Sequence, residues 1–211
     1  MRNAFGLEIP ESVEEACDPA RAALLVYDMQ VGVLNQIAGR DEVVDAVHRV
    51  LEAARRAGVR VFFLRHMSLP KNLAGVFQLR QAMAWQRATS MDDVEPWFLR
   101  DSPGFPIAPE LQPLPTEAVF DKITMSAFEG TPLDIALRDC GLSVFVIVGV
   151  ALEIGIDPTV RHGTDLGYIP VVVTDACGAG DKDAGRRTLD AMQFLNDAFL
   201  TDTETIAKVW R

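Results

Sequence analysis

Three cysteines in 211 residues, Cys17, Cys140 and Cys177, form neither a C-x-x-C pair nor a metal-ligand spacing. That leaves no disulfide framework to read and points to a reduced, cytoplasmic chain. Basic residues are also scarce, with 20 Lys and Arg against 30 Asp and Glu and a net charge of −10. Such a balance lacks the positive footprint that nucleic acid or an anionic membrane demands, so neither is expected as a partner. No apolar run approaches a membrane span, and the N-terminal MRNAFGLEIPESVEEACDP has no apolar signal core. Neither Asp-x-His nor His-x-x-x-His spacing occurs, so no metal site is expected. GAG at 178–180 is too short and wrongly placed for a dinucleotide fingerprint, and no cofactor is expected. With no repeat, low-complexity tract or linker, residues 1–211 form a single expected domain.

What is present is an alternation of apolar strands and helices. AALLVYD (22–28) has the pattern of a buried strand ending in the acid Asp28. A helix follows, with Asp41 as its expected cap, Val43, Val44, Val47, Val50, Leu51 and Ala54 at helical spacing, and Gly58 as its left-handed end. VRVFFLRH (59–66) is the next strand, 75–90 is helical, and 91–116 is irregular, with prolines at 96, 103, 106, 109, 113 and 115. AVFDK (118–122) is a short strand. Thr131 and Pro132 are expected to open a helix as cap and first residue, ending near Gly141. SVFVIVG (143–149) breaks at Gly149 into a helix from about Glu153 to Gly167. IPVVVTD (169–175), a helix from about 181 to 197 and a short FLT edge strand close the chain. Continuously apolar strands between helices indicate a doubly wound α/β fold, its parallel sheet covered on both faces.

Ligands in such sheets bind beyond the carboxyl ends of the strands. The polar residues at those ends are Asp28 and Gln30, Arg65 and His66, Lys122, the turn 149–155, and Asp175. Asp28 with Lys122 would make a tunable proton donor, or else a structural ion pair. The helix beginning near Glu153 offers free amides to an anion, with Gly149 and Gly155 permitting close approach. Glu153 is either a functional acid or a complement to the helix dipole. His66 faces the pocket or serves structure, His48 faces solvent, and His162 is structural. Cys177 is either a nucleophile or a small buried residue, the latter favoured because no histidine adjoins it. Between 67 and 116, Gln78, Arg80, Gln81, Trp85 and Trp97 are candidate wall residues. Arg80 is a carboxylate clamp or part of a solvated helix face.

Three segments in order, ALLVYDMQ, DKITMSAFEGTPLDIAL and VIVGVALEIGIDPTVRHGTDLGYIPVVVTDA, resemble the isochorismatase-like (cysteine hydrolase) superfamily across residues 22–201. The resemblance implies a three-layer α/β/α sandwich on a six-stranded parallel sheet, in a homodimer or homotetramer acting on a small molecule. It implies an acid at Asp28, a lysine at Lys122, a cis peptide at Val150–Ala151, and the cysteine nucleophile's position at Gly155. Gln30, His66, Arg80, Phe128, Val150, Ala151 and Glu153 are the expected substrate contacts. Glycine at 155 rules out a covalent thiol route at that position, as in true isochorismatases, and leaves an anion-holding cradle with room for substrate or water. The leading expectation is a hydrolase with Asp28 as general acid and Lys122 its partner. Its substrate is expected to be small and carboxylate-bearing, with isochorismate's vinyl ether as the concrete form. Ala151 and His66 stand where isochorismatases carry Tyr and Gln, which bears on that substrate. The alternatives are a C–N hydrolase using activated water and a non-catalytic ligand-binding member.

Overall fold

The computed structural model describes all 211 residues. An antiparallel ribbon, β1 (Arg2–Ala4) and β2 (Leu7–Ile9), and the single turn α1 (Val13–Ala16) lead into β3 (Ala22–Tyr27). Then follow α2 (Val31–Leu34), α3 (Arg40–Ala57), β4 (Arg60–His66), α4 (Val76–Gln86) and β5 (Ala118–Lys122). The second half contains α5 (Leu133–Asp139), β6 (Val144–Val150), α6 (Asp157–Asp165), β7 (Ile169–Gly178), α7 (Lys182–Leu195), β8 (Phe199–Thr201) and α8 (Thr203–Val209).

The main sheet has the order β5-β4-β3-β6-β7-β8, every neighbouring pair parallel. Side chains alternate across it with the strand's period of two. Ala22, Leu24 and Val26 of β3 enter a core with Val47 and Leu51 of α3 and Ile206 of α8. Ala23, Leu25 and Tyr27 enter a second core with Leu133 of α5, Val160 of α6 and Met192 of α7. This double covering is why β3 and β6 are buried at every residue. The result is the three-layer α/β/α sandwich on a six-stranded parallel sheet. No helix is long and apolar enough to cross a membrane.

Some local expectations shift. Helix α3 begins at Arg40 after a left-handed Gly39, so Asp41 complements the first turn without capping it. Pro132 caps α5, while the Thr131 hydroxyl accepts the Leu133 amide at 3.2 Å. The ribbon and α8 have no counterpart in the sequence reading. The ribbon's strands are three residues each and exposed, and seven-residue α8 is too short for periodicity to mark. Its start is tied down when Asp175 accepts the Thr203 amide at 2.8 Å.

The chain builds β3, β4 and β5 outward to one side, then returns to add β6, β7 and β8 on the other. The strand order therefore reverses between β3 and β6, and open α/β sheets form their ligand crevice beyond such a reversal.

Candidate active site at the strand-order reversal

Asp28 follows the last residue of β3 and adopts the left-handed conformation, φ 47°. A non-glycine residue pays of order 1 kcal/mol for this, although Asp tolerates it better than most. Backbone bonds hold it: the Asp28 amide donates to the Leu64 carbonyl at 3.0 Å, and its carbonyl accepts the Gln30 amide at 2.7 Å. The side chain is thereby turned from the strand direction into the crevice. Lys122, the last residue of β5, donates from Nζ to Asp28 Oδ2 at 2.8 Å and to the Thr124 carbonyl at 3.3 Å. The ammonium also lies 4.2 Å from the centre of the Tyr27 ring. Both charged residues are buried, and Asp28 Oδ1 alone has no hydrogen-bond partner.

Burial pushes the Asp28 carboxyl above the usual range against the pull of Lys122. Burial likewise pushes the Lys122 ammonium down. Desolvation disfavours charge on both members, and their mutual attraction opposes it. Next to them, burial and the Lys122 charge hold His66 at about 3, so its imidazole is neutral.

Opposite Asp28, β6 runs into a five-residue π-turn, Leu152–Ile156, and then α6. The Val150–Ala151 peptide bond is cis. The Ala151 carbonyl gathers the amides of Ile154, Gly155 and Ile156 at 3.3, 3.0 and 3.2 Å. Thr159 then donates to the Gly155 carbonyl at 2.7 Å and accepts the Ala127 amide at 3.0 Å. Position 155 is not empty space, contrary to expectation. A Cβ there would overlap the hydroxyl and ring of Tyr27. The Tyr27 hydroxyl donates to the Met125 carbonyl, and burial keeps this phenol from ionising. The place a side chain at 155 would take is filled by this fixed aromatic ring, while the Gly155 backbone still borders the crevice.

The crevice opens as a cavity of about 470 Å³. Asp28, His66, Val150, Ala151, Glu153 and Gly155 all line it, so six of the expected site residues are brought together. Lys122 stands behind Asp28 without reaching the wall. A second cavity of about 320 Å³ adjoins, and His66, Trp85, Trp97, Phe98 and Met125 border both. Glu153 accepts the Asp181 amide on Oε1 at 2.8 Å, while its Oε2 is buried without a partner. No Arg or Lys occurs in the wall of the larger cavity, whereas three carboxylates do: Asp28, Glu153 and Asp181.

Three expected contacts lie elsewhere. Arg80 is exposed and borders neither cavity, because α4 turns it to solvent. Phe128 is stacked on Tyr168, centroids 5.4 Å apart, in the core behind the turn. Gln30 is fully buried and clamps the end of β4, donating to the His66 carbonyl at 3.0 Å and accepting its amide at 2.7 Å. Among the other strand-end candidates, Arg65 pairs with Asp121, Nη2 to Oδ1 2.7 Å. Asp175 holds Thr203 because β7 continues to Gly178. The Cys177 thiol is buried against the Ile147 carbonyl and pushed up by that burial, so it is no nucleophile here. His48 is exposed, and His162 is engaged with Ser126 at 2.9 Å.

Sequence reasoning missed Tyr27, Phe98, Met125 and Ile154 as wall residues. Tyr27 had a signal: a large aromatic ends one strand while a glycine follows the strand that becomes its neighbour. Only the pairing of β3 with β6, in which Tyr27 faces Gly149, makes that complementarity visible.

Residues 22–205 match the isochorismatase domain. The ureidoacrylate amidohydrolase RutB of Acinetobacter baylyi is 29% identical over 183 residues, covering 80% of this chain and 74% of that protein. Its counterpart from Pantoea ananatis is 29% identical, covering 75% and 69%. Among solved structures, a cysteine hydrolase from Pseudomonas syringae pv. phaseolicola superposes with a TM-score of 0.80 at 22% identity, covering 92% of this chain and 94% of its own. N-carbamoylsarcosine amidase from Thermoplasma acidophilum superposes with a TM-score of 0.68 at 24% identity, covering 87% and 96%.

Proposed function

This chain belongs to the isochorismatase family and is an isochorismatase-like hydrolase, and from that premise we propose that it hydrolyses a vinylic C–O or C–N bond without a covalent intermediate. Asp28 is the general acid and water the nucleophile. The observation that carries this reading is the buried Asp28 carboxyl, one oxygen held by Lys122 and the other unpartnered at the cavity wall. The filled space at Gly155 supports it from the other side, since no side-chain nucleophile is available there.

An enol ether or enamide is suited to this equipment. Protonation of its terminal vinylic carbon by Asp28 gives a cation stabilised by the adjacent oxygen or nitrogen. Water adds to that cation, and its surplus proton returns to the Asp28 carboxylate. The tetrahedral adduct then collapses to a carbonyl product and the alcohol or amide leaving group. Lys122 does not touch substrate; it offsets the negative charge on Asp28 while the proton is away. A positioned acid of this kind supplies roughly 10²- to 10⁴-fold of rate. Trp85, Trp97 and Phe98 supply an apolar wall for the rest of a small molecule.

A second reading draws on the relatives named ureidoacrylate amidohydrolase: water, activated by the Asp28 carboxylate as base, attacks the carbonyl of a C–N substrate. The pH dependence separates the two. Under the first reading kcat/KM falls as pH rises through the elevated Asp28 pKa, because the protonated form is active; under the second it rises through that pKa. Asp28→Asn removes the proton while keeping the shape, and turnover is expected to drop about 10³-fold with the melting temperature maintained. Near-normal turnover by this variant sinks both readings. A covalent adduct seen by intact mass during turnover sinks the noncovalent course.

A further inference from the structure

We propose that the substrate has two parts: its reacting bond lies beside Asp28 in the larger cavity, and an uncharged apolar group, aryl or alkyl, fills the adjoining cavity of about 320 Å³. The inference rests on the larger cavity being the substrate site and extends that reading to the rest of the molecule. It departs from the carboxylate-bearing substrate expected from the sequence, for which the larger cavity holds no Arg or Lys. The two spaces share five wall residues, His66, Trp85, Trp97, Phe98 and Met125, so one molecule can occupy both.

The second space owes its form to the placement of α4. Gln78, Gln81, Ala82, Trp85 and Gln86 recur at the three- and four-residue spacing of one helix face, and all five line this cavity. Such a face ordinarily packs on a core, yet α4 buries none of its residues. It borders the cavity together with Leu69, Val94 and Ile123 instead. Hydrogen bonds hold the helix there at both ends. Gln78 donates to the Ile123 carbonyl at 3.4 Å, and Gln86 donates to the Glu95 carbonyl at 2.7 Å and accepts the Glu95 amide at 2.9 Å.

Most of the polar side chains in this lining are turned to the protein's own backbone. Besides the two glutamines, Ser68 accepts the Phe98 amide at 3.2 Å and Thr124 donates to the Glu129 carbonyl at 2.7 Å. Lys71, the sole Lys or Arg of the lining, donates to the Asp92 carbonyl at 2.6 Å. The sole carboxylate, Glu95, is exposed and of opposite sign. Gln81 and the neutral His66 ring are left to meet a single polar atom. A charged group entering here would exchange water for groups already engaged. Apolar surface loses nothing by the exchange and is rewarded for leaving water.

The test uses straight-chain primary alcohols from 1-butanol to 1-octanol, which have no bond for the proposed chemistry to cleave. They are titrated into the intact protein, with Trp85 and Trp97 in the shared wall as fluorescent reporters. Affinity is expected to climb about three- to fourfold per methylene. Ala82 borders the second cavity alone, so Ala82→Phe should flatten that climb for the longer alcohols and leave the shorter ones bound as before. Ala82→Met fills less space and should give an intermediate slope, which keeps the test available if the Phe variant fails to fold. An unchanged slope in Ala82→Phe, or a flat one in the unaltered protein, overturns the proposal. So does a change of sedimenting mass in Ala82→Phe, which would give this face to a second copy of the chain. A steep slope that Ala82→Phe flattens, in a protein whose turnover survives Asp28→Asn, keeps the second cavity as a subsite and removes the reaction assigned to the first.

Discussion

Beneath the cavity, Asp28, Lys122, Tyr27 and Gln30 are all buried, and the hydrogen bonds they make tie β3, β4 and β5 together. Across it, α4 buries none of its eleven residues, and Trp85 and Trp97 are 47% and 38% exposed. The two surfaces enclose the same space under different constraints. On the floor each polar group is placed by strands whose register permits no slippage, so a change there alters protonation or collides with backbone. The outer wall consists of aromatic faces on a helix and loop with little behind them, so it can move to suit a ligand. Reaction type is therefore assigned to the floor and substrate shape to the wall.

Four changes would break or sharpen that contrast. The largest effect is expected from Lys122→Met. Without the ammonium, Asp28 becomes a weaker acid, so kcat should fall about 10²- to 10³-fold and the descending pH limb should move upward; a purely structural lysine would leave the limb in place. Next, Gly155→Cys forces a Cβ into Tyr27 and should destabilise the fold by about 1–3 kcal/mol or more in denaturant titration. Pairing it with Tyr27→Val should recover part of the loss, giving a coupling that two independent sites would not show.

A smaller effect concerns acid stability. His66 is held at about 3 in the fold against an ordinary value of 6.5. Between those values the unfolded chain holds a proton that the folded one lacks, so stability falls as pH drops from 6.5 toward 3, on the order of 1 kcal/mol per pH unit. Chemical denaturation across that range should show a shallower decline for His66→Gln. Last, Trp97→Ala removes part of the wall. KM should rise roughly fivefold, about 1 kcal/mol, with kcat unchanged in steady-state assays; a collapse of kcat would show that the wall takes part in chemistry.

The same contrast marks what the sequence could disclose. The strands β3 and β6 are legible because a parallel sheet covered on both faces makes them apolar at every position, and Asp28 stands out as the acid ending such a run. Lys122 is legible more weakly, as the basic residue closing the short edge strand β5. Gln30 misleads: a polar residue after a strand end can serve a ligand or a neighbouring backbone, and only the hydrogen bonds to His66 decide. Phe128 and Arg80 mislead because residue type does not record orientation. The exposed helix α4 has no buried stripe from which an inward face could be read. The obstruction of position 155 depends on two residues 128 positions apart, and no local pattern encodes that contact.

That obstruction also bears on how such a protein could change over generations. Placing a thiol at 155 while Tyr27 remains sets it against a ring, and shrinking Tyr27 first leaves a void beside the acid with no nucleophile to use it. Each single step is penalised before the second can be rewarded. The pair acts as a ratchet, making the arrival of a side chain at position 155 improbable by ordinary one-residue drift.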